Sequence, residues 1–305
     1  MTIPTESSSR EITILKTFRA PIDRVYAALT DSSQISSWWG PDGYSAPKVE
    51  SDPHSGGELT ILMCGPEDFR EEIHAKYVEV SAPSYIEVES EVFDGKGNLL
   101  IQSRHKFTLK DLGNVTEVIF NATATVYGPN RHIPLAGMYP GWNQSLQKLD
   151  DLIEVRLDRT IVIGRLISAT ASRVFQAWTN PDHLSRWWGP DGFTVTTRSF
   201  SATPGGLWDF IFHGPDGSNY ENQIIFEQLI EPCLVVYSHS SPKSSDANFK
   251  SIVLIDEMLD KTVVSMRLVF DSKQKLEENI ARFNSIDGAN QTLARLDGYL
   301  KPVVS

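Results

Sequence analysis

The feature that most constrains the fold is an internal repeat of almost half the chain. The stretch "APIDRVYAALTDSSQISSWWGPDGYS", residues 20–45, returns 149 residues later as "ATASRVFQAWTNPDHLSRWWGPDGFT" without a gap. Near the end of each copy, "GWNQSLQKLDDLI" from Gly141 pairs with "GANQTLARLDGYL" from Gly288 at a spacing of 147 residues. Solenoid and propeller repeats have periods of roughly 20 to 50 residues. A much longer period predicts one ancestral domain present twice.

The predicted limits are residues 1–10 for an N-terminal tail, 11–156 for the first domain and 157–305 for the second. The boundary falls where the helical pattern before Val155 gives way to the strand-like run "RTIVIGRLI". No Gly/Ser-rich or Pro-rich linker separates the copies, which favours packed domains. In a chain of 305 residues with 40% hydrophobic residues, each copy is long enough to bury its own core.

Each copy has the same predicted order of elements. It opens with a strand rich in β-branched residues, "EITILKTF" or "RTIVIGRLI", and two short helices follow. In the first copy, turn signals then divide residues 44–127 into about six strands, mostly antiparallel. One long amphipathic helix ends each copy, the second spanning about residues 274–300. The fold class is therefore predicted as α+β, with a curved antiparallel sheet wrapped on a long C-terminal helix and two short helices after strand one.

Charge and composition narrow the range of partners. The formal net charge of -11 disfavours nucleic acids and anionic lipid surfaces, which attract clustered Lys and Arg. No apolar run is long enough for membrane insertion, and the start "MTIPTESSSR" lacks a signal-peptide pattern, so a cytoplasmic protein is expected. The two cysteines, Cys64 and Cys233, do not occupy equivalent positions. Because no residues show a metal-ligand spacing, neither a metal nor a cofactor is expected.

Two Trp-Trp pairs, Trp38–Trp39 and Trp187–Trp188, are candidate ligand-binding residues. In one interpretation they are core residues that close one end of the domain, since paired indoles bury a large apolar area. In the other, one Trp of each pair lines a pocket and stacks on a flat ligand. Both interpretations can hold together. The Gly-Pro-Asp-Gly that follows is typical of a turn, and no chemistry is assigned to it.

The second copy carries further candidates in "LWDFIFHGPDGSNYEN", residues 207–222. Its candidate ligand-binding residues are Trp208, Phe210, Phe212, Tyr220 and Asn222. His213 and Glu221 could form an acid/base pair, and Arg267 on a later strand could bind an anionic group. Only alternate residues of a strand face the same cavity, and polar residues at a hairpin end usually face water. Ligand binding is therefore preferred, and catalysis by these three residues stays an alternative.

The first copy differs at the polar positions. Cys64 stands where His213 stands, and Arg104 is the polar candidate for ligand binding, with His105 beside it. Such divergence indicates that one domain binds while the other supports it, although independent drift of the two copies explains it equally well.

Taken in order, the motifs resemble a known family. They are WWGPDG, a Gly-Gly pair, "HGPDG", "EPCLVVY" and the terminal helix, and together they are similar to the Hsp90-ATPase-activator-homologue family. That family belongs to the START/Bet v 1-like (SRPBCC) helix-grip superfamily, and the resemblance covers nearly the whole chain, twice. It implies a cavity between the sheet and the C-terminal helix. Related proteins bind sterols, lipids or hormones, or act as aromatase/cyclases and hydrolases.

The predicted function is therefore binding of a small hydrophobic or aromatic molecule. One alternative is a cyclase, aromatase or hydrolase acting on an aromatic or polyketide-like substrate. Another is an interaction module for an Hsp90-type chaperone, which the resemblance implies through an outer surface.

Overall fold

The computed structural model describes residues 7–94, 96–128, 132–241 and 244–301, without the side chains of residues 132–133 and 240–248. The chain separates into two compact units that divide between Leu157 and Asp158, called here the first and second repeat. Of the predicted N-terminal tail, residues 1–6 lie outside the described residues. Residues 7–10 differ from the prediction because they belong to the first strand.

The two repeats have the same element order up to the C-terminal helix, which is one helix in the first repeat and two in the second. The first contains β1 (Ser7–Phe18), α1 (Ile22–Thr30), α2 (Ser32–Trp38), β2 (Ser45–Ser51), β3 (Glu58–Cys64), β4 (Arg70–Ser81), β5 (Tyr85–Phe93), β6 (Leu99–Asp111), β7 (Thr116–Tyr127) and α3 (His132–Ile153). The second contains β8 (Thr160–Ile167), α4 (Ala171–Thr179), α5 (Pro181–Trp187), β9 (Thr194–Phe200), β10 (Leu207–His213), β11 (Asn219–Ile230), β12 (Leu234–Ser241), β13 (Ser244–Met258), β14 (Lys261–Phe270), α6 (Lys273–Phe283) and α7 (Ser285–Leu300).

Each repeat forms one seven-stranded antiparallel sheet. The strand order is β1-β7-β6-β5-β4-β3-β2 in the first repeat and β8-β14-β13-β12-β11-β10-β9 in the second. The last six strands form a meander, and the first strand pairs with the last, as Ile12 does with Ala122. This arrangement confirms the predicted fold class of two tandem helix-grip domains.

The short helices begin in the same way in both repeats. The Asp31 carboxylate accepts the backbone N–H groups of Ser33 and Gln34 at the start of α2, at 3.0 and 3.1 Å. At the equivalent position, Asn180 accepts the N–H of Asp182 at 2.9 Å to start α5. These side chains satisfy N–H groups that have no partner inside a helix.

The C-terminal helix of the first repeat contains Pro140. Because proline has no N–H, the carbonyl of Ala136, four residues earlier, loses its usual helical donor. The Arg10 guanidinium on β1 donates to that carbonyl at 3.1 Å and to the Leu135 carbonyl at 2.7 Å. A strand side chain therefore supplies a hydrogen bond that the helix backbone does not.

The C-terminal helix of the second repeat is broken, where the sequence predicted one continuous helix. Asn284 adopts a left-handed conformation (φ 48°) between α6 and α7. Its side-chain amide donates to the Asp287 carboxylate at 2.8 Å. Asparagine tolerates this conformation better than most residues, so it can end one helix and precede the next. The prediction was wrong here because the apolar spacing continues across the break.

Each sheet has an inner face, which packs on its C-terminal helix, and an outer face. The first core joins inner-face residues such as Phe107 and Phe120 to Leu146 and Leu149 of α3. The second core joins Phe210 and Met266 to helical residues that include Leu293. A smaller buried cluster lies on the outer face of the second sheet and consists of Val236, Ile252, Leu254 and Val269.

Candidate ligand site

The first Trp of each pair is a core residue. Trp38 is 1% exposed, and its indole N–H donates to the Ala28 carbonyl at 2.8 Å. Trp187 is also fully buried, and its indole N–H donates to the Ala177 carbonyl at 3.1 Å. Each bond joins the end of the second short helix to the end of the first. These two indoles therefore close one end of each repeat.

The turn after each Trp pair is held by the C-terminal helix. In the first repeat, the Gln144 side chain accepts the Asp42 N–H, and the Lys148 ammonium donates to the carbonyls of Gly40 and Tyr44. The glycines at positions 40 and 43 have φ of 91° and 84°, a region that favours glycine. The turn is thus fixed both by its own conformation and by the helix.

The second repeat uses the same two helical positions. The Gln291 side chain accepts the Asp191 N–H at 3.1 Å. The Arg295 guanidinium donates to the carbonyls of Gly189, Pro190 and Phe193 at 2.9, 2.7 and 3.1 Å. The repeated WWGPDG sequence therefore has a structural role as the docking site of the helix.

The second Trp of each pair points into the interior. In the first repeat, Trp39 is half-buried, and its ring lies 5.2 Å from the ring of Trp142 on α3, edge to face. His105 on β6 lies 4.7 Å from Trp142 and 6.4 Å from Trp39, measured between ring centroids. The three rings form a wall on one side of the interior.

Strand register places four small side chains beside this wall. On the inner face, Ala75 pairs with Ser90, Ser90 with Ser103, and Ser103 with Ala124. These four residues, one on each of β4 to β7, are called the small-residue row. The Ser90 and Ser103 hydroxyls bond each other at 2.6 Å. Ala75, Ser103 and Ala124 are only half-buried, although they lie on the face that the helix covers.

The second repeat fills the same row with large side chains. Ile224 pairs with His239, His239 with Phe249, and Phe249 with Phe270, and these four are called the bulky row. The His239 ring stacks on Phe249 at 4.8 Å, and Phe249 lies 5.4 Å from Phe270. The two repeats therefore share a backbone but differ in how much of the interior the row occupies.

Among the row and its neighbours in the first repeat, His105 stands out as a buried polar group. It is 8% exposed, and no hydrogen bond to either ring nitrogen occurs within the described part of the chain. Its ring lies nearly parallel to Phe120, at 6.1 Å. Desolvation lowers the pKa of His105 to about 4, so the imidazole is neutral near pH 7.

The predicted aromatic residues of the second repeat lie on the inner face. Trp188 contacts Trp208 at 5.1 Å, and Trp208 stacks on Phe210 at 4.0 Å. Phe212 continues this face and pairs in register with Tyr220, which is largely exposed, and Asn222 donates to the Tyr220 carbonyl at 2.9 Å. Trp188, Trp208 and Phe210 are therefore core residues, whereas Phe212 is half-buried.

His213 and Glu221 lie on the outer face of the second sheet. They alternate with Phe212 and Asn222, and His213 bonds Thr196 at 2.8 Å and Asn219 at 2.6 Å. Glu221 instead faces Arg198, at 3.4 Å. The structure thus places this pair outside the interior, which differs from the expected acid/base arrangement, because strand period two turns both residues away from the core.

Arg104 and Arg267 also lie on outer faces. Arg104 is partly exposed and forms ion pairs with Glu87 and Glu89 on the neighbouring strand. Arg267 is 0% exposed beside the outer cluster and donates to the Ser265 hydroxyl at 2.9 Å. Neither guanidinium lies on the inner face, where the sequence analysis expected a group that binds ligand.

Sequence reasoning missed the small-residue row, Trp142 and the helix residues that hold the turn. The row has no sequence signal by itself, since it appears only when the register of four strands is known. The turn anchors could have been found, because Gln144 and Gln291 are equivalent in the repeat, as are Lys148 and Arg295.

Two other features of the described chain do not form a ligand site. Within the described ranges, no group of three or more His, Cys, Asp or Glu residues could hold a metal ion. A shallow depression of about 370 Å³ lies around Asp52, His54 and Gly57, at the β2–β3 turn of the first repeat. Its Asp52–His54 ion pair is exposed, and the depression lies away from the inner face.

In the helices of the described chain, no segment is long and apolar enough to span a membrane.

Comparison with protein families gives two matches in this chain. Residues 19–154 and residues 168–301 each match the family described as "Activator of Hsp90 ATPase homolog 1-like protein". No curated protein matches the chain.

Solved structures of single domains are similar to part of the chain. A protein from Arthrobacter aurescens is 21% identical, with 48% of this chain and 88% of that chain covered and a TM-score of 0.45. A protein from Mycobacterium smegmatis is 20% identical, covering 48% of this chain and 94% of its own, with a TM-score of 0.45. The AHSA1 protein from Silicibacter pomeroyi is 18% identical, covering 48% and 99%, with a TM-score of 0.41.

Proposed function

The chain belongs to the activator of Hsp90 ATPase homolog 1-like family, in two tandem copies, and from that premise we propose that its first repeat binds a small, largely apolar molecule. The site lies between the small-residue row and the N-terminal half of α3. The second repeat is proposed to have a structural role.

The observation that carries this proposal is the contrast between the two rows. Ser103 and Ala124 occupy the positions of Phe249 and Phe270, on the same strands and in the same register. Protein interiors are close-packed, so replacing large side chains by small ones leaves space unless neighbours move in. The half-burial of Ala75, Ser103 and Ala124 is consistent with space that is left open.

The boundaries of the site suit an apolar ligand. Trp39 and Trp142 supply ring surfaces on one side, and Leu135 and Met138 of α3 belong to the cover. Burial of apolar surface stabilises a complex by roughly 25 cal/mol per Å² before the costs of association. A ligand that buries about 200 Å² of apolar surface would gain roughly 5 kcal/mol on this basis.

The proposal is tested by placing a large side chain in the small-residue row. Ser103→Phe introduces the residue that the second repeat has at this position, and we expect at least a tenfold loss of affinity. The measurement is titration of the full chain with naphthalene derivatives and medium-chain fatty alcohols, followed by tryptophan fluorescence, because Trp39 and Trp142 line the site.

The control is Thr108→Phe, which adds the same ring at an exposed position on the outer face of the same strand. It should bind as the wild type does. Unchanged affinity in a folded Ser103→Phe protein, or no binding of any probe by the wild type, would count against the proposal. If Ser103→Phe does not fold, Ser103→Val narrows the row with less strain and should weaken binding in the same direction.

The enzyme alternative has less support. It relied on His213, Glu221 and Arg267, and all three lie on the outer face of the second sheet. The chaperone alternative needs an outer surface of defined chemistry, and no described surface favours it over ligand binding.

A further inference from the structure

The interior of the first repeat offers a hydrogen-bonding group, the His105 imidazole, that no described residue uses. His105 is more than nine-tenths buried and pairs in register with Val88 and Ala122, one step along the strands from the small-residue row. No described residue bonds its ring nitrogens. A ligand group that hydrogen-bonds this imidazole would add to binding, because no described protein group competes for it.

The described rings that lie against His105 are aromatic. The imidazole contacts Trp142, Phe120 and Trp39 at centroid distances of 4.7, 6.1 and 6.4 Å. Because burial favours the neutral form, the ring presents one N–H donor and one nitrogen acceptor. A neutral ring that both donates and accepts matches a hydroxyl group, which does the same.

One cationic side chain at this end of the inner face is already engaged. Arg10, opposite Ala124 on β1, donates to the two α3 carbonyls near Pro140. Ser90 and Ser103 bond each other, which leaves one further hydroxyl hydrogen between them. Among the described side chains, the polar groups available to a ligand are therefore neutral, and none offers a carboxylate a cationic partner beside His105.

Resting on the function proposed above, we propose that the first repeat selects an uncharged hydroxylated aromatic molecule of the phenol class, whose hydroxyl bonds His105 and whose ring lies against Trp39 and Trp142. The aromatic preference follows from the ring walls, which favour edge-to-face and offset contacts. The hydroxyl preference follows from the unpartnered imidazole.

The second repeat also has a buried imidazole, His239, whose Nδ1 has no partner among the described residues, but that ring is stacked on Phe249 within the bulky row, and the His105 and Trp142 positions carry other residues. Ser251 stands at the position of His105, as the pairing of Tyr237 with Ser251 and of Val88 with His105 shows. Ala289 stands at the position of Trp142 in the repeat. The proposed recognition is therefore confined to the first repeat.

The experiment compares three probes of similar shape by isothermal titration of the full chain at pH 7. They are 2-naphthol, 2-methylnaphthalene and 2-naphthoate, which place a hydroxyl, a methyl or a carboxylate on the same ring. We expect the wild type to bind 2-naphthol about tenfold more tightly than 2-methylnaphthalene, the effect of about one net hydrogen bond. We expect 2-naphthoate to bind more weakly than 2-naphthol.

The variant His105→Leu should bind 2-naphthol and 2-methylnaphthalene equally. His74→Leu, which makes the same change at an exposed position on β4, should keep the preference of the wild type. If His105→Leu fails to fold, as judged by circular dichroism and Tm, His105→Gln retains a donor and an acceptor and should keep a reduced preference for 2-naphthol.

The outcomes separate the two proposals. Equal binding of 2-naphthol and 2-methylnaphthalene by the wild type overturns the phenol inference and leaves ligand binding standing. A preference for 2-naphthol that persists in folded His105→Leu, or is abolished by His105→Gln, also overturns it, as does tighter binding of 2-naphthoate. If none of the three probes binds the wild type, the proposed function itself fails.

Discussion

A comparison of the two repeats residue by residue shows which structural features they share and where their interiors differ. They share strand order, the buried first Trp of each pair and the turn held by a Gln and a cation on the C-terminal helix. They differ in where the large side chains come from. The first repeat has Trp142 on its helix and small residues in its sheet row, whereas the second has Ala289 at the equivalent helical position and Phe249 and Phe270 in its row. The frame is thus common to both repeats, and the interior is what diverged.

The largest expected effect comes from emptying the bulky row. Phe270→Ala removes a ring that is 2% exposed, and we expect a loss of about 3–4 kcal/mol in the unfolding free energy of the second repeat. Hydrogen-exchange mass spectrometry of the β11–β14 amides in the full chain measures it. Leu15→Ala, at an exposed position on β1, is the control and should change little. A loss below about 1 kcal/mol would mean that the second interior is not close-packed.

A second expected effect is a loss of folding stability at acidic pH. Desolvation lowers the pKa of His105 in the first repeat and of His239 in the second to about 4. The unfolded chain, with histidine pKa near ~6.5, then binds more protons than the folded chain between pH 4 and 6.5. Stability is therefore complete above about pH 6.5 and falls as pH drops through this window, by roughly 2 kcal/mol per histidine at pH 5.

Hydrogen exchange at pH 5 and pH 7.5, corrected for intrinsic rates, measures this loss separately in each repeat. His105→Leu should reduce the acid sensitivity of the first repeat only, and His239→Leu that of the second only. Equal acid sensitivity in the variants and the wild type would show that other groups control the transition.

The smallest expected effect tests the shared frame. Arg295→Met removes three hydrogen bonds to turn carbonyls, and Lys148→Met removes two. Since both variants leave the apolar part of the side chain, we expect losses of about 2 and about 1 kcal/mol in the unfolding free energy, respectively. Urea unfolding of the full chain measures both, and a larger loss for Lys148→Met would contradict the order expected from the number of hydrogen bonds.

Much of the fold could be predicted from the sequence because its signals are local. The two short helices, the six-strand meander and the terminal helix follow from periodicity and turn residues that occur twice. The break at Asn284 was missed because apolar residues continue at helical spacing on both sides of it. The break depends on the left-handed backbone conformation of this one asparagine.

The candidate site was less predictable because it depends on pairing between distant strands. Alternation along β10 was enough to place Phe212 and His213 on opposite faces, but not to say which face was covered. Ser90 and Ser103 are 13 residues apart and become neighbours only through the β5–β6 register. Ordinary serines and alanines carry no signal of function until four strands align them.

The anchored turn has a consequence for kinetics. It holds the Trp39 end of the first repeat in place through Gln144 and Lys148, so we expect a molecule bound as proposed to enter and leave at the opposite end, past the half-buried Ile73 and Ile101. Side chains that only narrow that passage slow association and dissociation by the same factor. Substitutions at Ile73 and Ile101 can therefore change the residence time of the ligand without changing its equilibrium constant.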